Sequence, residues 1–277
     1  MDSGKEAVLT ETTAEGITII SINRPHRRNA VDPATAQKLY DAILGFENDP
    51  KQKIGILTGV GGTFCAGADL HEVAQMADSS NGQSHLLPFD GHSIGPTGPS
   101  RMQIKKPFIC AVAGYAVAGG LELSLLGDLR IVEEDAVLGV FCRRWGVPLI
   151  DGGTVRLQAI VGLGRALDMI LTGRPVGAQE ALGMGLATRV VPKGEALGEA
   201  IRLAKQLLAF PEYCMNLDRK SCYYSAYDAT SFEDAMRQEY NSGVKAVEAE
   251  SIKGAATFSK GAGRHGSFKL VGKLWKL

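Results

Sequence analysis

Residues 106–128 read KPFICAVAGYAVAGGLELSLLGD, and this stretch decides the fold. Residues 108–113 form an apolar run of β-forming residues, and residues 121–126 have a helical pattern. Gly119 and Gly120 separate the two segments, and Glu122 is the one formally charged residue between Lys106 and Asp128. The stretch therefore predicts a strand, a glycine turn and a buried helix that carries a carboxyl group in its first turn.

Glu122 has two interpretations. Burial disfavours a charged carboxylate and raises its pKa toward the range that suits an acid or a base. The glycines before it let the backbone approach a ligand, and the first N–H groups of a helix can bind a developing oxyanion. Alternatively, an acidic residue in a first turn only complements the helix dipole. This stretch alone leaves both interpretations open.

Composition excludes several classes of protein. The 277 residues contain 30 acidic and 30 basic side chains, so no net charge favours nucleic acid or an anionic membrane. Aromatic residues make up 6%, which argues against a surface for base stacking. The five cysteines show no paired spacing, and neither a signal peptide nor a membrane-spanning run is visible. We therefore expect a cytoplasmic protein with reduced thiols.

Strand and helix patterns alternate before the chain becomes helical. We expect strands over residues 17–22, 54–58, 108–113, 129–132, 136–140 and 188–191. Helices are expected over residues 32–46, 70–76, 121–126, 155–160, 164–171, 178–183 and 196–210, from residue 211, and over 231–258. Asp32 followed by Pro33 is a typical helix start. Residues 78–100 lack a period and predict a mobile loop or lid.

Three segments resemble the crotonase family, which contains the enoyl-CoA hydratases and isomerases. They are ITIISINRPHRRNAVDPATAQKLYDAI, GTFCAGADL and CAVAGYAVAGGLELSLLGDLRIV, in this order. The resemblance implies an α/β fold, a crotonase-like spiral of ββα units over residues 1–194, with a C-terminal helical trimerisation region over residues 195–277. It also implies an acyl-CoA thioester substrate and a homo-oligomer, either a trimer or a dimer of trimers. No metal or separate cofactor is implied, because coenzyme A is part of the substrate.

The resemblance also implies an oxyanion hole made by the backbone N–H groups of Ala68 and Gly119. Both residues lie in segments of small residues, where a ligand can approach the backbone closely. The thioester oxygen gains negative charge in the transition state, so fixed donors there lower the barrier.

Glu122 matches one of the two glutamates with which the family's hydratases hold and activate water. The second glutamate falls on Cys142, a departure, since a thiol replaces a carboxyl poorly as a proton donor. Asp151 offers a replacement. It precedes two glycines, as in the family's 1,4-dihydroxy-2-naphthoyl-CoA synthases. The alternative for Asp151 is a helix N-cap. We expect Glu122 to be the main acid and base, Asp151 to face the same pocket, and Cys142 to be an unreactive buried neighbour.

The remaining candidates would bind coenzyme A. Residues in or beside the first two motifs are expected to contact it: Arg27, Arg28, Ala66, Ala68, Asp69, Leu70, His71 and Gly119. Phe258 and Lys260 are candidates for the adenine end, and ordinary surface exposure is the alternative for the charged members. Arg143 and Arg144 either bind a substrate carboxylate or pair with the acidic residues 133–135, and pairing is favoured.

Three functions follow, in order of preference. The first is an enoyl-CoA hydratase, a hydro-lyase of fatty-acid metabolism that adds water reversibly to a 2-trans-enoyl-CoA. The second is an enoyl-CoA isomerase, which needs only one proton shuttle and so tolerates Cys142 better. The third is a CoA-binding or RNA-binding scaffold without catalysis. Neutral charge argues against RNA, and Glu122 argues against a protein without catalysis.

Overall fold

The structure is a computed structural model that describes residues 6–75, 88–90 and 93–263. It divides into two compact units. The first contains the described residues up to Ile104 and Phe108–Ile201, and the second contains Lys105–Pro107 and the described residues from Arg202 onward. The described strands all lie in the first unit. Most of the loop or lid predicted over residues 78–100, namely residues 78–87 and 91–92, lies outside the described residues.

Nine strands occur in the described part of the chain. They are β1 Val8–Thr12, β2 Ile17–Ile22, β3 Ile54–Gly59, β4 Phe108–Val112, β5 Tyr115–Val117, β6 Leu129–Glu133, β7 Val137–Gly139, β8 Val176–Gly177 and β9 Arg189–Val191. The larger sheet has the order β1-β2-β3-β4-β6-β9, and its strands pair in parallel except for the antiparallel pair β1 and β2. The smaller sheet has the order β5-β7-β8. The chain thus passes from the larger sheet to the smaller one twice, at β4–β5 and at β6–β7.

Ten α-helices complete the described elements. They are α1 Pro33–Asn48, α2 Leu70–Gln75, α3 Gly119–Ser124, α4 Gly153–Val161, α5 Leu163–Thr172, α6 Ala178–Gly183, α7 Ala196–Leu207, α8 Glu212–Tyr227, α9 Phe232–Ala246 and α10 Ile252–Ser259. Short 3-10 turns cover Pro25–Arg27, Pro99–Arg101 and Phe141–Trp145. Among the described helices, none is long and apolar enough to cross a membrane.

The helix start predicted at Asp32 is confirmed. The Asp32 side chain accepts a hydrogen bond of 2.7 Å from the backbone N–H of Thr35, and Pro33 occupies the first helical position. The helical stretch predicted over residues 231–258 is confirmed, with a π-helical turn at Val247–Ser251 between α9 and α10. This turn carries Glu250, whose carboxylate accepts hydrogen bonds from the backbone N–H groups of Tyr213 and Cys214. Glu250 therefore caps α8.

The parallel pairing of β3 with β4 brings the two central turns together. Parallel neighbours end at the same edge of a sheet, so the segments that follow them lie close in space. An isolated bridge between Cys65 and Ala116 joins these segments. Gly120 lies in the same contact, because a Cβ on it would collide with the carbonyl oxygen of Cys65. The turn after β3 and the start of α3 are therefore held against each other.

Candidate active site

The turn at residues 65–68 is fixed by a buried asparagine. Asn29 accepts a 2.8 Å hydrogen bond from the backbone N–H of Arg24 and donates bonds of 2.6 Å and 2.9 Å to the carbonyl oxygens of Thr63 and Val60. Backbone bonds of 2.8 Å and 2.9 Å tie Val31 to Gly67 and Asp69 on either side of Ala68. The Asn29 amide nitrogen thus holds the chain just before residues 65–68, and its oxygen holds Arg24.

Asp69 has partners inside the protein. One of its carboxylate oxygens lies 3.2 Å from a guanidinium nitrogen of Arg24, which also forms a 2.8 Å ion pair with Asp32. The other accepts a 3.2 Å hydrogen bond from the backbone N–H of His71, at the start of α2. These contacts give Asp69 a structural role beside Ala68, and its predicted contact with coenzyme A stays a prediction.

Two unused backbone donors lie next to each other at this contact. A Cβ placed on Gly67 would lie 2.8 Å from the backbone nitrogen of Gly119, and one placed on Gly119 would lie 3.5 Å from that of Ala68. Among the described groups, neither the Ala68 N–H nor the Gly119 N–H has a hydrogen-bond acceptor. Ala118 turns the chain into α3 with φ 53° and ψ −127°, a strained conformation for a residue with a side chain. The two N–H groups are thus available to one ligand oxygen, and their convergence on it stays a prediction.

Glu122 is buried and holds the start of another helix. Its Oε1 accepts hydrogen bonds of 2.7 Å from the N–H of Gly153 and 3.0 Å from that of Asp151, where α4 begins. The side chain is only 3% exposed. Burial, followed by the negative charge of Asp151, raises the pKa of Glu122 to about 8. Glu122 therefore keeps its proton to a higher pH than an ordinary surface glutamate.

Asp151 lies beside Glu122 and points into the protein. Its Oδ1 accepts a short hydrogen bond from the Ser100 hydroxyl and one of 3.3 Å from the backbone N–H of Thr97. Its side chain does not cap α4, because that helix begins after Gly152 without a side-chain cap. The alternative of a helix N-cap is therefore wrong. Burial raises the pKa of Asp151, while its bonds with Ser100 and Thr97 act in the opposite direction.

The two carboxyl groups form a pair with one free oxygen each. Neither Oε2 of Glu122 nor Oδ2 of Asp151 accepts a hydrogen bond from a described group. Burial raises the pKa of the Cys142 thiol, and the nearby negative charge of Glu122 raises it further. A thiol with a raised pKa stays protonated and is a weak nucleophile. The arrangement can therefore supply an acid and a base, with Cys142 as an uncharged neighbour.

The other predicted contacts of coenzyme A lie on or near the surface. Arg27, Arg28, Leu70 and His71 are exposed, and Ala66 is half-buried. The carbonyl of Arg28 accepts a 3.1 Å hydrogen bond from the N–H of Ala66, which places the basic residues of the first motif beside the second motif.

Phe258 and Lys260 lie in the second unit, at the end of α10, and both are exposed. Their predicted role at the adenine end stays a prediction.

Arg143 and Arg144 do not pair with acidic residues 133–135, so that expectation was wrong. Arg143 donates a 3.1 Å hydrogen bond to the carbonyl of Ile170, and Arg144 donates one of 3.2 Å to that of Gly173. The last carbonyl groups of α5 lack partners within the helix, which explains why cations lie there. The Arg144 guanidinium also lies 4.2 Å from the centre of the Phe141 ring.

Three residues of this site were missed in the sequence analysis: Thr97, Ser100 and Arg156. The first two lie in a stretch without hydrophobic period, which predicts only a loop. Arg156 donates hydrogen bonds of 2.6 Å and 2.8 Å to the carbonyl oxygens of Ser100 and Met102. Arg156 lies more than fifty residues along the chain from both of these partners. No sequence pattern predicts contacts over such a separation.

Comparison with known proteins shows similarity to one family over most of the chain. The profile described as enoyl-CoA hydratase/isomerase matches residues 12–258. The enoyl-CoA hydratase EchA19 of Mycobacterium tuberculosis is 37% identical over 216 residues, which cover 76% of this chain and 77% of that protein. Carnitinyl-CoA dehydratase of Escherichia coli is 34% identical over 194 residues, 68% of this chain and 70% of that protein.

Solved structures of enoyl-CoA hydratases also superpose on this chain. The crystal structure of enoyl-CoA hydratase EchA1 from Mycobacterium marinum superposes with a TM-score of 0.81 at 30% identity, covering 92% of this chain and 96% of that one. An enoyl-CoA hydratase from Geobacillus kaustophilus superposes with a TM-score of 0.80 at 27% identity, covering 93% and 96%. These matches confirm the α/β crotonase fold expected from the sequence. The chain belongs to the enoyl-CoA hydratase/isomerase family.

Proposed function

We propose that this protein is a hydro-lyase that adds water reversibly to the double bond of a 2-trans-enoyl-CoA. The observation that carries the proposal is the buried pair of Glu122 and Asp151 close to two unused backbone N–H groups. Hydration of an enoyl thioester needs a base for water, an acid for the α-carbon and donors for the thioester oxygen. The relatives named as enoyl-CoA hydratases and as a carnitinyl-CoA dehydratase support the same reaction class.

The proposed reaction starts with Asp151 ionised and Glu122 protonated. The water oxygen bonds to the β-carbon while Asp151 takes one of its protons, and the electrons of the double bond move to the thioester oxygen. The N–H groups of Ala68 and Gly119 stabilise that negative charge. Glu122, protonated because of its raised pKa, then gives its proton to the α-carbon. One proton enters the pair and one leaves it, so the two carboxyl groups only need to exchange a proton afterwards.

Cys142 favours a second candidate, the migration of a double bond. An isomerase removes a proton from one carbon and returns it to another, so a single carboxyl suffices. The thiol at the position of the family's second glutamate is compatible with that chemistry. We rank it below hydration, because Asp151 supplies the second carboxyl.

A panel of acyl-CoA thioesters separates these candidates. The purified protein is incubated with 2-trans-enoyl-CoA and 3-enoyl-CoA esters of several chain lengths, and products are identified by mass spectrometry in water labelled with oxygen-18. We expect a 3-hydroxyacyl-CoA that carries the label. Products that contain no label, or double-bond migration alone, would contradict hydration.

A matched variant tests the role of Asp151. Asp151→Asn keeps the shape of the side chain but removes the base, and we expect a rate lower by roughly 10²–10⁴-fold. Asp168→Asn is the control, because that carboxylate is exposed and pairs with Arg174 at 2.6 Å. Equal activity of the two variants would show that Asp151 is not the base.

We also propose a homotrimer or a dimer of trimers in the cytoplasm. Large apolar side chains on α9 and the following turn are exposed at regular spacing, namely Phe232, Met236, Tyr240, Val244 and Val247. Burial of such a face against another copy is favourable. Light scattering at micromolar concentration is the test, and a monomer would refute the proposal. The five free cysteines are consistent with a reducing compartment.

The proposed binding of coenzyme A involves Arg27 and Arg28. Both are exposed in the first motif, where they can meet phosphate groups. Replacing both by glutamine should raise the dissociation constant for coenzyme A, and an unchanged constant would remove them from the site.

A further inference from the structure

Two residues of the segment 95–102 donate hydrogen bonds to one oxygen of Asp151. The Ser100 hydroxyl and the Thr97 N–H both donate to Oδ1 of Asp151, and both residues are fully buried. Gly95 makes this approach possible. A Cβ at that position would collide with the Ser100 oxygen and would lie 2.5 Å from Oδ1 of Asp151. The segment is therefore shaped around one oxygen of this carboxyl group.

Arg156 fixes the segment to the helix that begins beside Asp151. Its guanidinium donates to the carbonyl oxygens of Ser100 and Met102 from within α4. The first N–H of the same helix, on Gly153, donates to Glu122. The donors on Asp151 and the donors on Glu122 therefore belong to one connected set of bonds.

The donors around Asp151 favour its charged form. The Thr97 hydroxyl oxygen is buried with no partner at hydrogen-bonding distance, yet it lies near enough to help lower the pKa of Asp151. Arg101 acts in the same direction. The titratable groups on the other sides are Glu122 and Cys65, which both feel the charge of Asp151. Asp151 thus has a hydroxyl donor, a backbone donor and a nearby cation that favour its charged form, beside the equally buried Glu122.

We propose that Ser100 is a positioning residue that keeps Asp151 ionised and thereby places the single proton of the carboxyl pair on Glu122. Its consequence for catalysis depends on the proposed function, in which Asp151 is the base and Glu122 the acid. Without the hydroxyl, the proton is shared between the two groups, and the fraction of protein with the correct acid and the correct base falls. Ser100 itself does not touch the reacting atoms in this scheme.

The test compares three variants of Ser100 in the full-length protein. Ser100→Ala removes the donor, Ser100→Cys keeps the size with a weak donor, and Ser100→Thr keeps the hydroxyl. Loss of a hydrogen bond to a charged carboxylate corresponds to a pKa change of about one to two units. We therefore expect the acid limb of the pH profile of kcat/KM to move upward by about one to two units in Ser100→Ala. Ser100→Cys should show a partial shift and Ser100→Thr the wild-type profile.

Thr58→Val is the matched control. It removes a buried hydroxyl that donates a 3.0 Å bond to the carbonyl of Ala111 between β3 and β4. Its pH profile should keep the wild-type midpoint. If Ser100→Ala lowers the rate equally at every pH, or leaves the midpoint unchanged, Ser100 is merely structural and the proposal is wrong.

A second measurement needs no substrate. The side-chain carboxyl of Asp151 is titrated by carbon-13 NMR in the wild type and in Ser100→Cys, which preserves packing if Ser100→Ala does not fold. We expect a higher midpoint in the variant, and an unchanged midpoint would overturn the proposal. If the wild type hydrates no enoyl-CoA, the proposed function fails, but this titration still decides whether Ser100 controls the proton.

Discussion

Glu122→Gln should make the stability of the protein less dependent on pH. The variant keeps the Oε1 acceptor for the N–H groups of Gly153 and Asp151 and replaces the second oxygen by an uncharged amide. In the wild type, the pKa of Glu122 is about 8 in the folded state against 4.5 for the ordinary side chain. The folded state then binds more protons than the unfolded state between these values. Wild-type stability therefore falls as pH rises from 4.5 through about 8.

The size of this effect follows from the pKa difference. A change of about 3.5 units at about 1.4 kcal/mol for each unit gives a ceiling of about 5 kcal/mol. The protein and water relax around a new buried charge, so we expect about 2–4 kcal/mol. The variant should have nearly wild-type stability at pH 5 and exceed the wild type by this amount at pH 9.

Urea unfolding of both proteins from pH 5 to pH 9, at one fixed protein concentration, measures the difference. Glu180→Gln is the control, because that exposed carboxylate has a pKa lowered by Arg174 and stays ionised across this range. The control should differ from the wild type by the same amount at every pH. A Glu122→Gln curve that runs parallel to the wild-type curve would refute the conclusion that this carboxyl is protonated near neutral pH.

Three further predictions concern single residues near the site. Cys142→Ala should leave turnover nearly unchanged in a steady-state assay, because burial raises the pKa of the thiol and the proposed reaction uses only the two carboxyl groups; an inactive but folded variant would contradict this. Ala118→Gly should raise stability by about 1 kcal/mol in urea unfolding, since φ 53° strains alanine; lower stability would show that the methyl group matters more. Asp32→Ala should cost about 1–2 kcal/mol by losing the cap of α1, and no loss would contradict that role.

Local sequence patterns were sufficient to predict most of the first unit. Apolar runs with glycine ends marked β2, β3 and β4, and the pair Asp32-Pro33 marked the start of α1. These signals depend on neighbouring residues alone. The strands β1 and β5 were missed because their sequences lack a clear strand pattern, and only their pairing with neighbouring strands defines them. Four of the five residues of β1 are not buried, and β5 is three residues long between two glycine segments.

The parts of the candidate site that a single unusual residue marks in the sequence were predictable. Glu122 is isolated in apolar sequence, and Asp151 precedes two glycines, so both attract attention without a structure. The donors on Asp151 were not predictable. Ser100 lies 51 positions before it in the chain, and an unpatterned stretch contains no information about which side chain its hydroxyl will meet. The partners of Arg143 and Arg144 were mispredicted for a similar reason, because carbonyl groups at a helix end compete with carboxylates.

The turnover of a 2-trans-enoyl-CoA by Glu122→Gln tests the central claim most directly. Binding of coenzyme A is measured by calorimetry on the same preparation, so that a loss of activity is separated from a loss of binding. The account predicts wild-type binding with a rate of hydration lower by roughly 10²–10⁴-fold, because the amide has no proton to give to the α-carbon. Full activity in this variant would contradict the assignment of Glu122 as the acid.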